Sequence, residues 1–234
     1  MGCVKSKGEA GVEVDVPLPP LDLSGLDAAT KFETILPFKR NKLEIFELKL
    51  KAATGANKTI PFDQLRTLLG QDKVWADIND DNSVLVKVLK SKYFTEEDGN
   101  VSRDALILYG ILLSSGDNKL KARVLYDVLQ DNNQEFISAN DKDFGETFNK
   151  IIDLVTLNLY SHVKLVDECQ PRLEESEFES KLSEDVRNEL SEAFLDEVFG
   201  AASKLLRKDW EAKVKDQKWL FSAKEARAKI ESKF

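Results

Sequence analysis

The sequence predicts an all-α protein built from repeated helix–loop–helix units, and three observations carry that reading. From Leu26 onward apolar residues recur at helical spacing, as in Leu106, Leu108, Ile111 and Leu112, or Val124, Leu125, Val128 and Leu129. Strand evidence is limited to single β-branched or aliphatic residues standing between helices. Those single residues recur as Ile60, Val101 and Ile137, each after a polar loop and just before a new helical run.

Residues 1–26 read as an arm. Gly8, Gly11 and the Val14-Asp-Val-Pro17-Leu-Pro19-Pro20-Leu21 run cannot sustain a helix, and proline keeps such a segment extended. Pro17-Leu18-Pro19-Pro20 fits P-x-x-P, but no Arg or Lys flanks it, so it reads as a spacer. Helices are expected over 28–35, 42–53, 61–69, 83–92, 102–114, 118–130, 141–165, 183–199, 207–217 and 222–232. Phe144, Phe148, Ile151, Ile152 and Val155 line one face of the long 141–165 run. Ser183 with Glu184 and Asp185 makes a helix start, and Ser222-Ala-Lys-Glu225 is a capping box. These elements group into a helical module over 27–166, an acidic linker over 167–182, and a carboxy-terminal helical region over 183–234.

The repeat itself, helix, loop, isolated aliphatic, helix, resembles the EF-hand, whose loops pair through an aliphatic at loop position 8. A fourth copy centres on Leu205, followed by Leu206-Arg-Lys-Asp209-Trp210. A calcium cage needs oxygens at loop positions 1, 3 and 5, a Gly at 6 and a bidentate Glu at 12. The first loop, 53–64, offers Ala53, Gly55 and Gln64 at positions 1, 3 and 12. The second, 94–105, keeps Glu96, Asp98, Asn100 and Ser102 as candidate oxygens but has Phe94 and Ala105 at its ends. In the third, 130–141, Gln130, Asn132, Gln134, Ser138 and Asp141 stand at ligand positions, with Glu135 where Gly should turn the chain. The fourth, 198–209, retains Asp209 alone. The expectation is a calcium-independent module with no cofactor; an acidic turn is the simpler reading of Glu96-Glu97-Asp98-Gly99.

The runs Asn100-Val-Ser with Leu112-Leu-Ser-Ser-Gly116 and Lys121, and Phe194-Leu-Asp with Lys204-Leu-Leu-Arg-Lys-Asp-Trp210 and Trp219-Leu-Phe, carry a further likeness. They resemble the helical, EF-hand-like amino-terminal half of myristoylated TLDc-domain proteins. The resemblance covers most of 30–230 and not the β-rich TLDc domain, and it implies contact with a membrane complex such as the vacuolar proton pump. Neuronal calcium sensors are a more distant resemblance, implying a calcium-responsive myristoylated sensor.

The opening heptad Met1-Gly2-Cys3-Val4-Lys5-Ser6-Lys7 completes the M-G-x-x-x-[ST] pattern of N-myristoylation at Gly2. It resembles the amino termini of dually acylated Src-family kinases; downstream there is no G-x-G-x-x-G, H-R-D or D-F-G. One myristoyl chain anchors only marginally, so a second signal is needed. Cys3 offers palmitoylation, and Lys5 and Lys7 add attraction to an anionic leaflet. The implied location is the cytoplasmic face of a membrane, held by a peripheral lipid anchor.

Composition narrows the function further. A net charge of −8 argues against nucleic-acid binding. No apolar run reaches the length of a membrane span, and the start lacks the apolar core of a secretory signal. Two cysteines, Cys3 and Cys169, give no disulfide framework. The single histidine, His162, reads as structural, and Cys169 as a small packed residue. With no G-x-S-x-G, H-E-x-x-H or C-x-x-C, the chain is not expected to be an enzyme. Trp210, Trp219 and Phe221 stand among Lys and Arg, where they either bind a protein partner or pack the last helices onto the core. The overall expectation is a non-catalytic, membrane-anchored adaptor.

Overall fold

A computed structural model of the protein describes residue 21 and residues 23–55, 57–130, 135–166 and 175–234, the side chains of 142 and 143 excepted. The chain is all-α. In order come α1 (Ala28–Ile35), a 3-10 turn at Pro37–Arg40, α2 (Leu43–Thr54), β1 (Thr59–Ile60), α3 (Phe62–Leu69) and a 3-10 stretch at Lys73–Asn79. Then follow α4 (Val84–Leu89), β2 (Val101–Ser102), α5 (Arg103–Leu113), α6 (Asn118–Leu129), β3 (Phe136–Ser138), α7 (Lys142–Val155), α8 (Leu157–His162) and α9 (Glu175–Lys181). The carboxy-terminal part holds α10 (Glu184–Phe199), β4 (Lys204–Leu206), α11 (Arg207–Val214), a 3-10 turn at Lys218–Leu220 and α12 (Ala223–Glu231).

Four helix–loop–helix units assemble as two pairs. In the first, β1 and β2 run antiparallel with Ile60 opposite Val101. In the second, β3 and β4 run antiparallel with Ile137 opposite Leu205. All four aliphatics singled out by the repeat therefore meet in two cross-loop pairs, and each is buried. The ladders also satisfy backbone groups that a lone loop would leave unpaired. Arg103 braces the first ladder, its guanidinium reaching Asp104 at 3.0 Å and the Gly55 carbonyl at 3.5 Å.

Helix α5 sits between the pairs, packing on α2, α6 and α7. It is buried on every side from Ala105 to Leu113, as an all-round apolar helix must be. Gly110 lets α2 come close; a Cβ there would lie 3.2 Å from the Leu43 side chain. In the first half Phe38 contacts Phe46, Trp75, Phe94 and Tyr109. In the second, Phe144 and Phe148 stack on Phe194, and Trp219 meets Phe148 and Phe194 edge-on. One hydrophobic core runs through both.

Two differences from the expected elements have local causes. The single helix anticipated over 141–165 breaks at Thr156 (φ −115°, ψ −83°), whose hydroxyl donates to the Ile152 carbonyl at 2.6 Å. A threonine bonding back to the preceding turn bends a helix in this way. Within the stretch read as an acidic linker, Glu175–Lys181 forms α9 because Phe178 buries itself against Tyr160 and Phe234.

The first and last helices close on each other through a buried ion pair between Glu33 and Arg227, with Arg227 also donating to the Val155 carbonyl at 3.3 Å. Arg227→Met should cost about 3–5 kcal/mol in denaturant unfolding, because it strands the Glu33 carboxylate in the core. Replacing both by apolar residues of similar volume should recover most of that loss. A single-variant cost below about 1 kcal/mol would show that the pair does not hold α12 to α1.

Candidate functional site

The second loop contains the candidate calcium oxygens, and its backbone closes on itself. The Glu96 N–H donates to the Asn100 carbonyl at 2.9 Å and the Gly99 N–H to the Glu96 carbonyl at 2.9 Å, with Gly99 at φ 77° where a side chain would be strained. Asp98 turns inward on its own loop, accepting from the Asn100 backbone at 2.9 Å and the Asn100 amide at 2.7 Å. Ser102 caps α5, accepting from the Ala105 N–H at 3.4 Å. Asp98 and Asn100 thus bond each other as an Asx turn does.

The cation beside this loop is a side chain. Lys150, from α7 in the other half, places its ammonium 2.8 Å from Glu96 Oε1 and 3.3 Å from Ser102 Oγ. That hydrogen bond holds the Glu96 carboxyl below the usual range. Lys150 also forms one wall of a cleft of about 630 Å³ where α7 faces the first ladder, rimmed by Lys58, Asp104, Glu146 and Asp153. Across it Arg187 of α10 pairs with Asp153 at 2.6 Å. Among the described residues no group of three or more His, Cys, Asp or Glu side chains is arranged to hold a metal.

Helices α6, α7, α10 and α11 form the walls of the second half, and the turn at 218–221 fills the space between them. Trp210 is fully buried and donates its indole N–H to the Ala122 carbonyl at 3.1 Å. Trp219 and Phe221 are also buried, so all three aromatics take the core-packing role and present little surface to a partner. What remains open among Leu125, Phe144, Phe148, Trp210 and Leu220 is about 10 Å³, no more than one water fills.

Beneath this turn lies a buried lysine that periodicity does not reveal. Lys121 donates to the Ser114 carbonyl at 2.5 Å and to the Phe221 carbonyl at 2.8 Å. It is 3% exposed, and burial pulls its pKa down to about 8. His162 is likewise structural: its Nδ1 lies 2.8 Å from the Asn158 carbonyl, and burial lowers its pKa. Gly2, Cys3, Lys5, Lys7 and Cys169 lie outside the described residues.

The sequence supplies the loop oxygens but not Lys150, which comes from an adjoining unit and marks itself by no motif. No family model, curated protein or solved structure matches this chain.

Two measurements follow. Lys150→Met should raise the Glu96 pKa toward the ordinary carboxylate range in an NMR titration, while stability shifts by less than about 1 kcal/mol since the pair is partly exposed. An unmoved Glu96 would exclude Lys150 as its counter-ion. For Lys121, the folded chain binds its proton less tightly than the unfolded chain, so stability rises with pH between about 8 and 10.5. Wild type should therefore gain on Lys121→Met by on the order of 2 kcal/mol over that interval. Parallel pH profiles of the two proteins would contradict it.

Proposed function

We propose that the protein is a non-catalytic adaptor, anchored to the cytoplasmic face of a membrane by acylation at Gly2 and Cys3. It carries a calcium-independent EF-hand-like helical module for protein–protein interaction. The observation that carries the calcium independence is Lys150: a tethered ammonium already bonds Glu96 and Ser102, at loop positions 3 and 9. A divalent ion would have to displace it while finding no carboxylate at positions 1 and 12 of that loop, which are Phe94 and Ala105. The pairing of Ile60 with Val101 and of Ile137 with Leu205 supports the EF-hand-like organisation.

The anchor rests on the heptad, where Gly2 and Ser6 complete the myristoylation pattern and Cys3 offers the second chain. The packing of the second half supports an anchor that does not withdraw into it, because the void of about 10 Å³ among Leu125, Phe144, Phe148, Trp210 and Leu220 does not admit an acyl chain. Protein interaction in place of catalysis is supported by the burial of His162 and Lys121, with His162 Nδ1 against the Asn158 carbonyl and the Lys121 ammonium on two backbone carbonyls.

Gly2→Ala, expressed beside an N-myristoyltransferase, should abolish partitioning onto neutral phosphatidylcholine vesicles at ordinary salt, and Cys3→Ser should lower steady-state membrane association in cells. Calorimetry with calcium should show no micromolar site. A Gly2→Ala protein that binds phosphatidylcholine vesicles as well as the myristoylated form does would sink the anchor, and a micromolar calcium isotherm would favour a calcium-responsive sensor.

A further inference from the structure

A lipid tether sets where a module sits but not which side faces the bilayer. From Gly2 to Leu26 the chain can span up to about 80 Å when extended, more than the breadth of a module this size. Any preferred orientation must come from the surface of the module itself.

The stretch Lys39–Ala52 has the chemistry for that role. Lys39 and Arg40 in the 3-10 turn and Lys42 just before α2 are exposed. Among the described residues none of the three meets a carboxylate; Lys39 bonds only the Thr34 hydroxyl at 3.1 Å. The outer face of α2 continues the surface with Ile45 at 48% exposure and Leu48 at 62%, one turn apart, then exposed Ala52. Glu44, the carboxylate exposed beside them, is neutralised by Arg123 at 2.9 Å, and Lys49 lies 3.8 Å from Asp72. The stretch therefore carries an excess of three positive charges on a chain whose net charge is −8. Isolated exposed aliphatics need no explanation, but two of them in register beside three uncompensated cations form an amphipathic, basic surface of the kind that lies in a headgroup layer.

We infer that Lys39, Arg40, Lys42, Ile45 and Leu48 form a second membrane contact, which docks the outer face of α2 onto an anionic lipid leaflet. The inference deepens the proposed anchoring, yet it concerns groups far in sequence from the acyl sites and is measurable without them. The cations meet phosphate and serine headgroups; Ile45 and Leu48 reach the acyl boundary below. Each cation near such a surface strengthens binding roughly fivefold, so the three together contribute on the order of a hundredfold.

The test compares phosphatidylcholine vesicles with vesicles containing about a third phosphatidylserine, using the full chain in myristoylated and Gly2→Ala forms. Both forms should prefer the anionic vesicles, and Lys39→Glu with Arg40→Glu and Lys42→Glu should erase most of that preference while leaving binding of the myristoylated form to phosphatidylcholine unchanged. Ile45→Ser with Leu48→Ser should weaken binding to anionic vesicles by on the order of tenfold. All substituted side chains are solvent-facing, so circular dichroism should be unaltered. If the triple reversal keeps the full anionic preference, or if Lys5→Ser with Lys7→Ser alone abolishes it, the α2 face is not a lipid surface. If the myristoylated protein fails to bind phosphatidylcholine but the Gly2→Ala preference for serine lipid persists and falls in the triple variant, the anchor fails and the face stands. A preference absent from the Gly2→Ala form overturns the face.

Discussion

Pairing of loops is the constraint on which the rest of this structure depends. A helix–loop–helix unit on its own leaves the loop's N–H and C=O groups facing nothing and exposes one apolar stripe on each helix. Two units placed back to back resolve both problems through one short antiparallel ladder, with Ile60 on Val101 in one half and Ile137 on Leu205 in the other. The ladders hold only two or three residues per strand, yet each joins two helix–loop–helix units that are far apart in the sequence.

The two halves then share α5. Because that helix is buried on all sides, neither half completes its core without it, and polar groups at the boundary need internal partners. The solutions are cationic. Arg227 answers Glu33 and the freed Val155 carbonyl, Lys121 ties the end of α5 to the turn before α12, and Lys150 reaches from α7 into the second loop. Each is a long side chain whose stem packs while its head finds oxygen. In Lys121 the oxygens are carbonyls only, which leaves the ammonium poorly compensated and lowers its pKa. In Lys150 they are the Glu96 carboxylate and the Ser102 hydroxyl of the second loop.

Two outer surfaces differ in charge. The cleft between α7 and the first ladder sets Lys58 and Lys150 among Glu96, Asp104, Glu146 and Asp153, whereas the start of α2 carries Lys39, Arg40 and Lys42 beside two exposed aliphatics.

Helix positions and the four pairing aliphatics were legible in the sequence, because helical periodicity and an isolated β-branched residue are local signals that tertiary packing here reinforces. The observed α1 and α10 match the expected spans within a residue, and Ser183 and Ser222 cap their helices, each accepting from the N–H three residues on. The break at Thr156 and helix α9 were not legible: the first depends on one hydroxyl returning to its own helix, and the second on Phe178 finding Tyr160 and Phe234 across the fold. The candidate loop shows the same division. Its missing ligands at Phe94 and Ala105 follow from residue identity alone. That Glu96 meets an ammonium, and that Trp210, Trp219 and Phe221 fill a core in place of a surface, only the tertiary structure decided, since each depends on residues distant in sequence that are brought together by folding.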